Sequence, residues 1–217
     1  MNEVAPGRRV PPIWLAAGAA LSIALSIAFV DHPVAVISAR LFDDSFWMLA
    51  ASAILDTTPA LLALFSAFVV ACGLAVLAGR DLPQWTRPWL RAALATVVTL
   101  AIALVIKLAI GRQSVPPQVL PDGDYAFHPF AAGLNGGAFP SATMAMATAF
   151  FSGRGFRSWR SRATAVVLLT TLAASLVITN GHWIADILGG MYLGWLTGAA
   201  TVMSARVAHQ RFVGARR

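Results

Sequence analysis

Two side chains near the end of the chain have types and a spacing that suit nucleophilic or acid–base chemistry. His182 and Asp186 are four residues apart, so on a helix they lie on one face, a turn apart. A carboxylate that accepts a hydrogen bond from one imidazole nitrogen fixes the tautomer and leaves the other nitrogen as a base or nucleophile. Asp186 lies about one turn into an apolar segment, where an unpaired carboxylate is costly. The alternative is a polar pair that merely satisfies itself near the end of that segment.

Two cations, Lys107 and Arg112, lie at the end of an earlier apolar segment. Lys107 is the only lysine in a chain that otherwise uses arginine throughout, which indicates a specific role. A lysine and an arginine close together suit a phosphate group. The alternative is that both side chains extend to lipid head groups, as cations at helix ends commonly do.

A third candidate is the start of the helix that follows Phe139-Pro140-Ser141. Proline is favoured in a first helical turn, and the free amides there can bind an anion. The Ser141 hydroxyl would add one more donor. By itself this pattern is also that of a plain helix start.

The elements that must position these residues are apolar. Of the 217 residues, 58% are hydrophobic and 12% charged, and the mean hydropathy is +0.72. Soluble domains carry about 25% charged residues. The few charges of this chain could not cover the surface of a soluble protein of this size. The composition excludes intrinsic disorder and predicts an integral membrane protein. The single cysteine, Cys72, lies in an apolar run and is expected to be a small core residue.

The apolar segments predict an all-α, polytopic helix bundle with six transmembrane spans. Between the first two spans, Pro33–Phe42 and Ser45–Leu55 are expected to form a helix at the interface and a second that leads into the membrane. The polar segment Gly111–Phe139 is too polar to span. The six predicted spans are Ile13–Val30, Pro59–Leu77, Ala92–Ile110, Pro140–Phe151, Ala163–Ile178 and Trp183–Ala205.

The arginines orient this bundle with both termini in the cytoplasm. Thirteen of the sixteen basic residues fall on the inner side, which satisfies the positive-inside rule at every loop. The pattern also supports the short fourth span, since without it the cluster from Arg154 to Arg162 would lie outside. Only Arg40, Lys107 and Arg112 remain on the outer side. The net charge of +7 is therefore explained by topology and a phosphate site, and nucleic acid is not expected as a partner.

The three clusters share the outer face, and their order resembles the type 2 phosphatidic acid phosphatase superfamily, which also includes the vanadium haloperoxidases. Lys107, Gly111 and Arg112 match the family's first motif, Pro140 and Ser141 the second, and His182 and Asp186 the third. The resemblance implies the membrane branch, with one domain over residues 1–217 and a catalytic core at about 90–205. It also implies no metal or other cofactor.

Three motif positions depart from the family pattern. The Arg-Pro of the first motif is Ser114-Val115, the Gly-His of the second is Ala142-Thr143, and the arginine of the third is Leu176. In the family the two missing arginines help to bind phosphate, and the missing histidine is the general acid. Thr143 is kept as a candidate site residue. His128, in the same outer segment, could replace the acid, or it could be an ordinary loop histidine.

The resemblance implies a membrane lipid-phosphate or lipid-diphosphate phosphatase or phosphotransferase that acts through a phosphohistidine. His182 would be the nucleophile, Asp186 would orient it, and Lys107, Arg112 and Ser141 would hold the phosphate. The site would face the periplasm or exterior of a cytoplasmic membrane. One alternative is a catalytically impaired relative that binds anionic lipid heads, and another is a small transporter, since charges within a span often mark a transport path.

Overall fold

A computed structural model describes residues 13–115, 127–130, 137–156 and 158–214, with side chains to residue 207, and most of these residues are helical. Within these ranges the β-structure is one isolated antiparallel bridge between Arg112 and Phe127. The all-α prediction is confirmed. The helices are α1 Ile13–Leu25, α2 Asp31–Phe42, α3 Phe46–Leu55, α4 Thr58–Leu77, α5 Thr86–Ile110, α6 Ala142–Arg154, α7 Trp159–Ile178 and α8 Ile184–Gly214.

Four helical stretches of the described residues are long and apolar enough to cross a membrane: Ile13–Phe42, Phe46–Leu77, Thr86–Ile110 and Trp159–Ile178. These four correspond to the first, second, third and fifth predicted spans. The fourth predicted span forms α6, whose 13 residues extend about 20 Å at 1.5 Å per residue, less than the hydrocarbon core of a bilayer. The sixth lies in α8. The count of six spans and the cytoplasmic termini stay predictions.

The first long stretch runs further than the sequence predicts. Pro33–Phe42 was expected as a separate helix at the interface, whereas α1 continues into α2 through a π-helical turn at Ser26–Val30. Pro33 has no N–H to donate and its ring crowds the carbonyl four residues earlier. A widened turn just before a proline relieves both problems and lets the helix continue. The turn places Asp31 on the inner side of the stretch, where it is buried.

The helices α6 and α8 pack very closely because α8 has glycines where it crosses α6. A Cβ atom added at Gly194 would lie 2.2 Å from the Ala145 carbonyl oxygen, and one added at Gly190 would lie 2.5 Å from that of Ser141. Small residues of this kind allow helix backbones to approach each other within a membrane. The contact connects the start of α6 to the first turns of α8, and so it connects Ser141 to Asp186.

A sharp turn after α5 returns the chain to the same end of the bundle. Gly111 ends α5 in the left-handed conformation, with φ of 58°, and a Cβ at this position would lie 1.9 Å from the His128 carbonyl oxygen. Glycine alone fits both requirements. The turn directs Arg112 back towards α2 and α8, while Lys107 stays in the last turn of α5.

Candidate functional site

The two residues of the third motif lie where α8 begins. His182 is in the turn between α7 and α8, and Asp186 is in the first turn of α8. The Nδ1 atom of His182 lies 3.5 Å from an Asp186 carboxylate oxygen, and it forms no hydrogen bond with the described residues. This distance is too long for a good hydrogen bond, although such contacts often shorten when substrate binds. The predicted pair is therefore close, with the imidazole 16% exposed and the carboxylate fully buried.

Asp186 is held by several groups besides the histidine. One carboxylate oxygen accepts a hydrogen bond from the Trp183 amide at 3.1 Å, which caps the start of α8. The other oxygen accepts from the Arg112 guanidinium at 2.6 Å. Its backbone carbonyl accepts from the Ser141 amide at 2.9 Å. Asp186 therefore has the partners that its burial requires.

Arg112 is buried between two carboxylates. It donates one hydrogen bond to Asp186 at 2.6 Å and another to Asp31 at 2.5 Å, and only 3% of it is exposed. The guanidinium also lies over the rings of Phe127 and Trp183, 5.7 Å and 5.4 Å from their centroids, at distances typical of cation–π contacts. The sequence predicts Arg112 as a phosphate ligand. In the structure, its NH1 and NH2 groups each donate a hydrogen bond to a protein carboxylate.

Asp31 is the member of this cluster that the sequence reasoning missed. Besides Arg112, it accepts hydrogen bonds from the Ser26 hydroxyl at 2.9 Å and from the Ala185 amide at 3.0 Å. The signal that could have found it is the one applied to Asp186, a carboxylate beside an apolar run with no partner nearby in the sequence. The predicted first span ends at Val30, so Asp31 lies just outside it.

Lys107 is buried beside the same cluster. Its ammonium donates to the carbonyl oxygens of Gly137 and Ala138, and the Ala138 amide in turn donates to the Arg112 carbonyl at 2.7 Å. The side chain therefore extends into the protein, where 8% of it is exposed, and not outward to lipid head groups. These contacts fix the segment that leads into α6.

Ser141 is the N-cap of α6 and is fully buried. Its hydroxyl accepts from the Met144 amide at 3.4 Å, a weak capping contact, and its amide donates to the Asp186 carbonyl. Ser141 therefore lies next to Asp186, as the motif order predicts. The hydroxyl hydrogen is still able to donate to a ligand.

The positions that depart from the family pattern lie in different surroundings. Leu176 is buried in an apolar cluster with Met144 and Ile187, so no cation occupies that place. Thr143 lines an apolar cavity of about 440 Å³. Ser114 is exposed and Val115 is buried.

His128 lies in the short described piece of the outer segment, and most of that segment is outside the described residues. Its amide donates to the Gly111 carbonyl at 2.9 Å, which places the backbone of His128 against the turn after α5. The residue is exposed. Its assignment as a replacement acid stays a prediction.

The formal charges of the buried cluster sum to zero. Lys107 and Arg112 carry two positive charges, and Asp31 and Asp186 carry two negative charges, all buried.

The cavity beside His182, lined also by Asp31 and Asn180, holds only about 10 Å³, roughly the space of one water. A phosphate is larger, so binding there requires neighbouring side chains to move. No group of three or more potential metal ligands (His, Cys, Asp, Glu) occurs among the residues with assigned positions.

The family model of the PAP2 superfamily matches residues 88–209, more than half of the chain. The chain therefore belongs to the PAP2 superfamily, and the predicted resemblance is confirmed. Members of this superfamily are phosphatases, which supports a general activity on phosphoric esters. No curated protein and no solved structure shows a significant match. The matched segment includes the residues of all three motifs, whereas Asp31 lies before it.

Proposed function

We propose that the chain is a membrane phosphatase or phosphotransferase that acts on lipid phosphates or diphosphates through a phosphohistidine at His182. The observation that supports it most is the close approach of His182 to Asp186 at the start of α8, with Asp186 held in place by Arg112 and the Trp183 amide. The site faces the periplasm or exterior of a cytoplasmic membrane in this proposal, because the inner segments carry the arginines.

The mechanism uses the two imidazole nitrogens differently. With Nδ1 protonated and turned towards Asp186, Nε2 has a free lone pair that attacks phosphorus. The P–N bond forms while the bond from phosphorus to the leaving oxygen breaks, and that oxygen takes the electron pair. Water, or an acceptor hydroxyl, then attacks phosphorus, the P–N bond breaks to regenerate the neutral imidazole, and the proton of the attacking oxygen passes to solvent. Lys107, Ser141 and amides at the start of α6 hold the phosphoryl oxygens.

The missing histidine and arginines restrict the substrate. A general acid contributes about 10²–10⁴-fold, and less when the leaving group is a weak base. The group that leaves from a lipid diphosphate is a lipid phosphate, which is a weak base. A diphosphate substrate therefore needs the general acid less than a monophosphate does. We therefore expect faster turnover of lipid diphosphates, and equal or faster turnover of the matched monophosphates would overturn this preference.

The proposed function is tested by phosphate release from lipid monophosphates and diphosphates by the purified protein. His182→Ala is expected to reduce release to background, because the nucleophile is lost. His32→Ala is the matched control, since His32 is exposed and is expected to keep the wild-type rate. The activity proposal fails if the wild type and His182→Ala release the same amount from every substrate.

A second candidate, a relative that binds anionic lipid heads without catalysis, is favoured by the saturated Arg112. With both carboxylates on its guanidinium, Arg112 has little charge left to stabilise a transition state. The hydrogen bonds of Lys107 go to neutral backbone carbonyls, so its charge can still attract an anionic head. In this case vesicles that contain phosphatidic acid would bind the protein, Lys107→Gln would weaken binding, and His182→Ala would leave it unchanged. Phosphate release that depends on His182 would exclude this candidate.

A further inference from the structure

An apolar cavity bordered by the described residues lies between the helices. It has a volume of about 440 Å³ and is partly open to the outside of the protein, within the range of about 300–1,000 Å³ typical of ligand pockets. Its walls come from α3, α4, α6 and α7 and from Thr96 of α5, with Leu61, Phe65, Ala147 and Leu169 among the lining residues. The question is which molecule fits a space of this chemistry.

The walls offer few polar atoms to a ligand or to water. Two of the lining threonines already donate to backbone carbonyls: the Thr57 hydroxyl to Ile54 at 2.7 Å and the Thr96 hydroxyl to Ala92 at 3.0 Å. A buried water needs two to four polar partners. An apolar ligand therefore suits this space better than water does.

The helices around the cavity indicate that a lipid chain is the apolar molecule available to fill it. The stretches Phe46–Leu77, Thr86–Ile110 and Trp159–Ile178, which are long and apolar enough to cross a membrane, all contribute to the lining. A partly open cavity between such helices borders the hydrocarbon region of the bilayer, where lipid chains are the solvent. A chain can therefore enter from the side without leaving an apolar medium.

The cavity also extends towards the candidate site. Thr143 lines it and is two residues after Ser141. Leu169 and Leu172, which line the cavity, also pack against the apolar cluster that contains Leu176. Thr143, in the cavity wall, stands where the family pattern has a histidine, and Leu176, in the adjoining cluster, stands where it has an arginine. The cavity and its surroundings are therefore less polar at these two positions.

We propose that this cavity binds one hydrocarbon chain of the lipid whose phosphate is bound at the His182 site. The proposal rests on the proposed function for the identity of the lipid. It assigns to Thr143 and to the cavity wall a part in recognising the chain, and not in acid catalysis.

The test is photolabelling of the full-length protein in detergent with phosphatidic acid that carries a diazirine at the end of one acyl chain. We expect labels on peptides of α4 and α6 around Leu61 and Ala147, and unlabelled phosphatidic acid should compete for them. Diacylglycerol with the same photoactive chain should label these peptides much less. Equal labelling by both probes would overturn the assignment of the cavity to the phosphate-bearing lipid.

Two matched variants test whether the cavity itself is the binding site. Ala147→Trp fills the cavity and should remove most of the labelling, and the smaller Ala147→Leu should reduce it in part. Ala63→Trp adds the same side chain at an exposed position of α4 and should leave the labelling unchanged. The thermal unfolding midpoints of all three variants show whether they fold. Unchanged labelling in a folded Ala147→Trp or Ala147→Leu protein would overturn the proposal.

The two proposals fail in distinguishable ways. If the chain probe labels α4 and α6 but no substrate releases phosphate, the cavity proposal stands and catalysis at His182 fails. If phosphate release depends on His182 while the labels fall elsewhere, the reverse holds.

Discussion

At the scale of single residues, the site depends on a buried arginine that joins two distant carboxylates. Arg112 lies 81 positions from Asp31 and 74 from Asp186 in the sequence, and it contacts both. A buried ion pair is weak support for stability by itself, because desolvation of the charges offsets their attraction. Breaking the pair is costly because it leaves a buried charge without its partner. Arg112 therefore makes Asp31 a structural requirement of the His182–Asp186 pair.

Asp31→Asn is expected to destabilise the protein markedly. The substitution leaves Arg112 with one carboxylate and gives the buried cluster a net positive charge, at a cost of about 3 kcal/mol. For a chain of this size the thermal midpoint should fall by roughly 10 °C. Thermal unfolding in detergent measures the shift.

The control for this substitution is Asp43→Asn at an exposed position. It makes the same chemical change and should leave the free energy of unfolding within about 0.5 kcal/mol of the wild type, so the midpoint should move by no more than about 2 °C. Equal midpoints for Asp31→Asn and Asp43→Asn would contradict the importance of the Asp31–Arg112 pair.

The sequence predicts those parts of the site whose residues are close together in the chain, and not those that are far apart. The pairing of His182 with Asp186 depends on helical spacing, which is local and therefore readable from the sequence. The partners of Arg112 depend on how helices pack, and the sequence offers no spacing rule for a contact over 81 positions. For the same reason, the sequence predicts Lys107 as a cation beside the site but not its bonds to the carbonyls of Gly137 and Ala138.

At the scale of elements, the contact between α6 and α8 connects Ser141 to Asp186. Gly190, Gly194 and Gly198 recur every four residues on one face of α8, and each would place a Cβ within 2.5 Å of an α6 atom. The sequence predicts both helices. The closeness of their contact was not predicted, because glycine has more than one use in a helix and only the packing shows which one applies.

Gly194→Ala is expected to separate α6 from α8. The new methyl group would lie 2.2 Å from the Ala145 carbonyl oxygen and 2.8 Å from the Ala149 amide nitrogen, and overpacking of this kind typically costs about 1–3 kcal/mol. The thermal midpoint should therefore fall, and so should any phosphate release that depends on His182.

The comparison for this variant is Gly73→Ala in α4, where no atom lies within 4 Å of the added Cβ. Alanine favours helix over glycine by about 0.5–1 kcal/mol, so this variant should be as stable as the wild type or more stable. If Gly194→Ala were as stable as Gly73→Ala, the two helices would not be in close contact.

At the scale of the whole molecule, we propose one membrane domain over residues 1–217 with a family-like core at about 90–205. Asp31 supports a single unit, because α2 lies outside the matched segment 88–209 and yet completes the ion pairs of Arg112. The alternation of basic and non-basic loops gives the proposed orientation. Several of the inner arginines, Arg8, Arg9, Arg157, Arg216 and Arg217, lie outside the described residues.

The orientation is tested with single cysteines, because Cys72 is the only cysteine and is buried. In a Cys72→Ala background, Asp44→Cys lies in the predicted outer segment and Asp81→Cys in a predicted inner loop, and both positions are exposed. A maleimide that does not cross membranes should label Asp44→Cys in intact cells and Asp81→Cys only after the cells are opened. The reverse pattern would invert the topology and move the His182 site to the cytoplasmic side.

The position of Asp31 has a consequence for how the chain is made. The ribosome synthesises α1 and α2 before α5 and α8, so Asp31 reaches the membrane 81 residues before Arg112 and 154 before Ala185, two of its partners. An aspartate at the centre of a span adds about 2.5–3.5 kcal/mol to the cost of insertion. The apolar residues of α1 must outweigh that cost until the later helices arrive. Assembly of the bundle therefore has an order in which Asp31 enters the membrane before the helices that supply its partners.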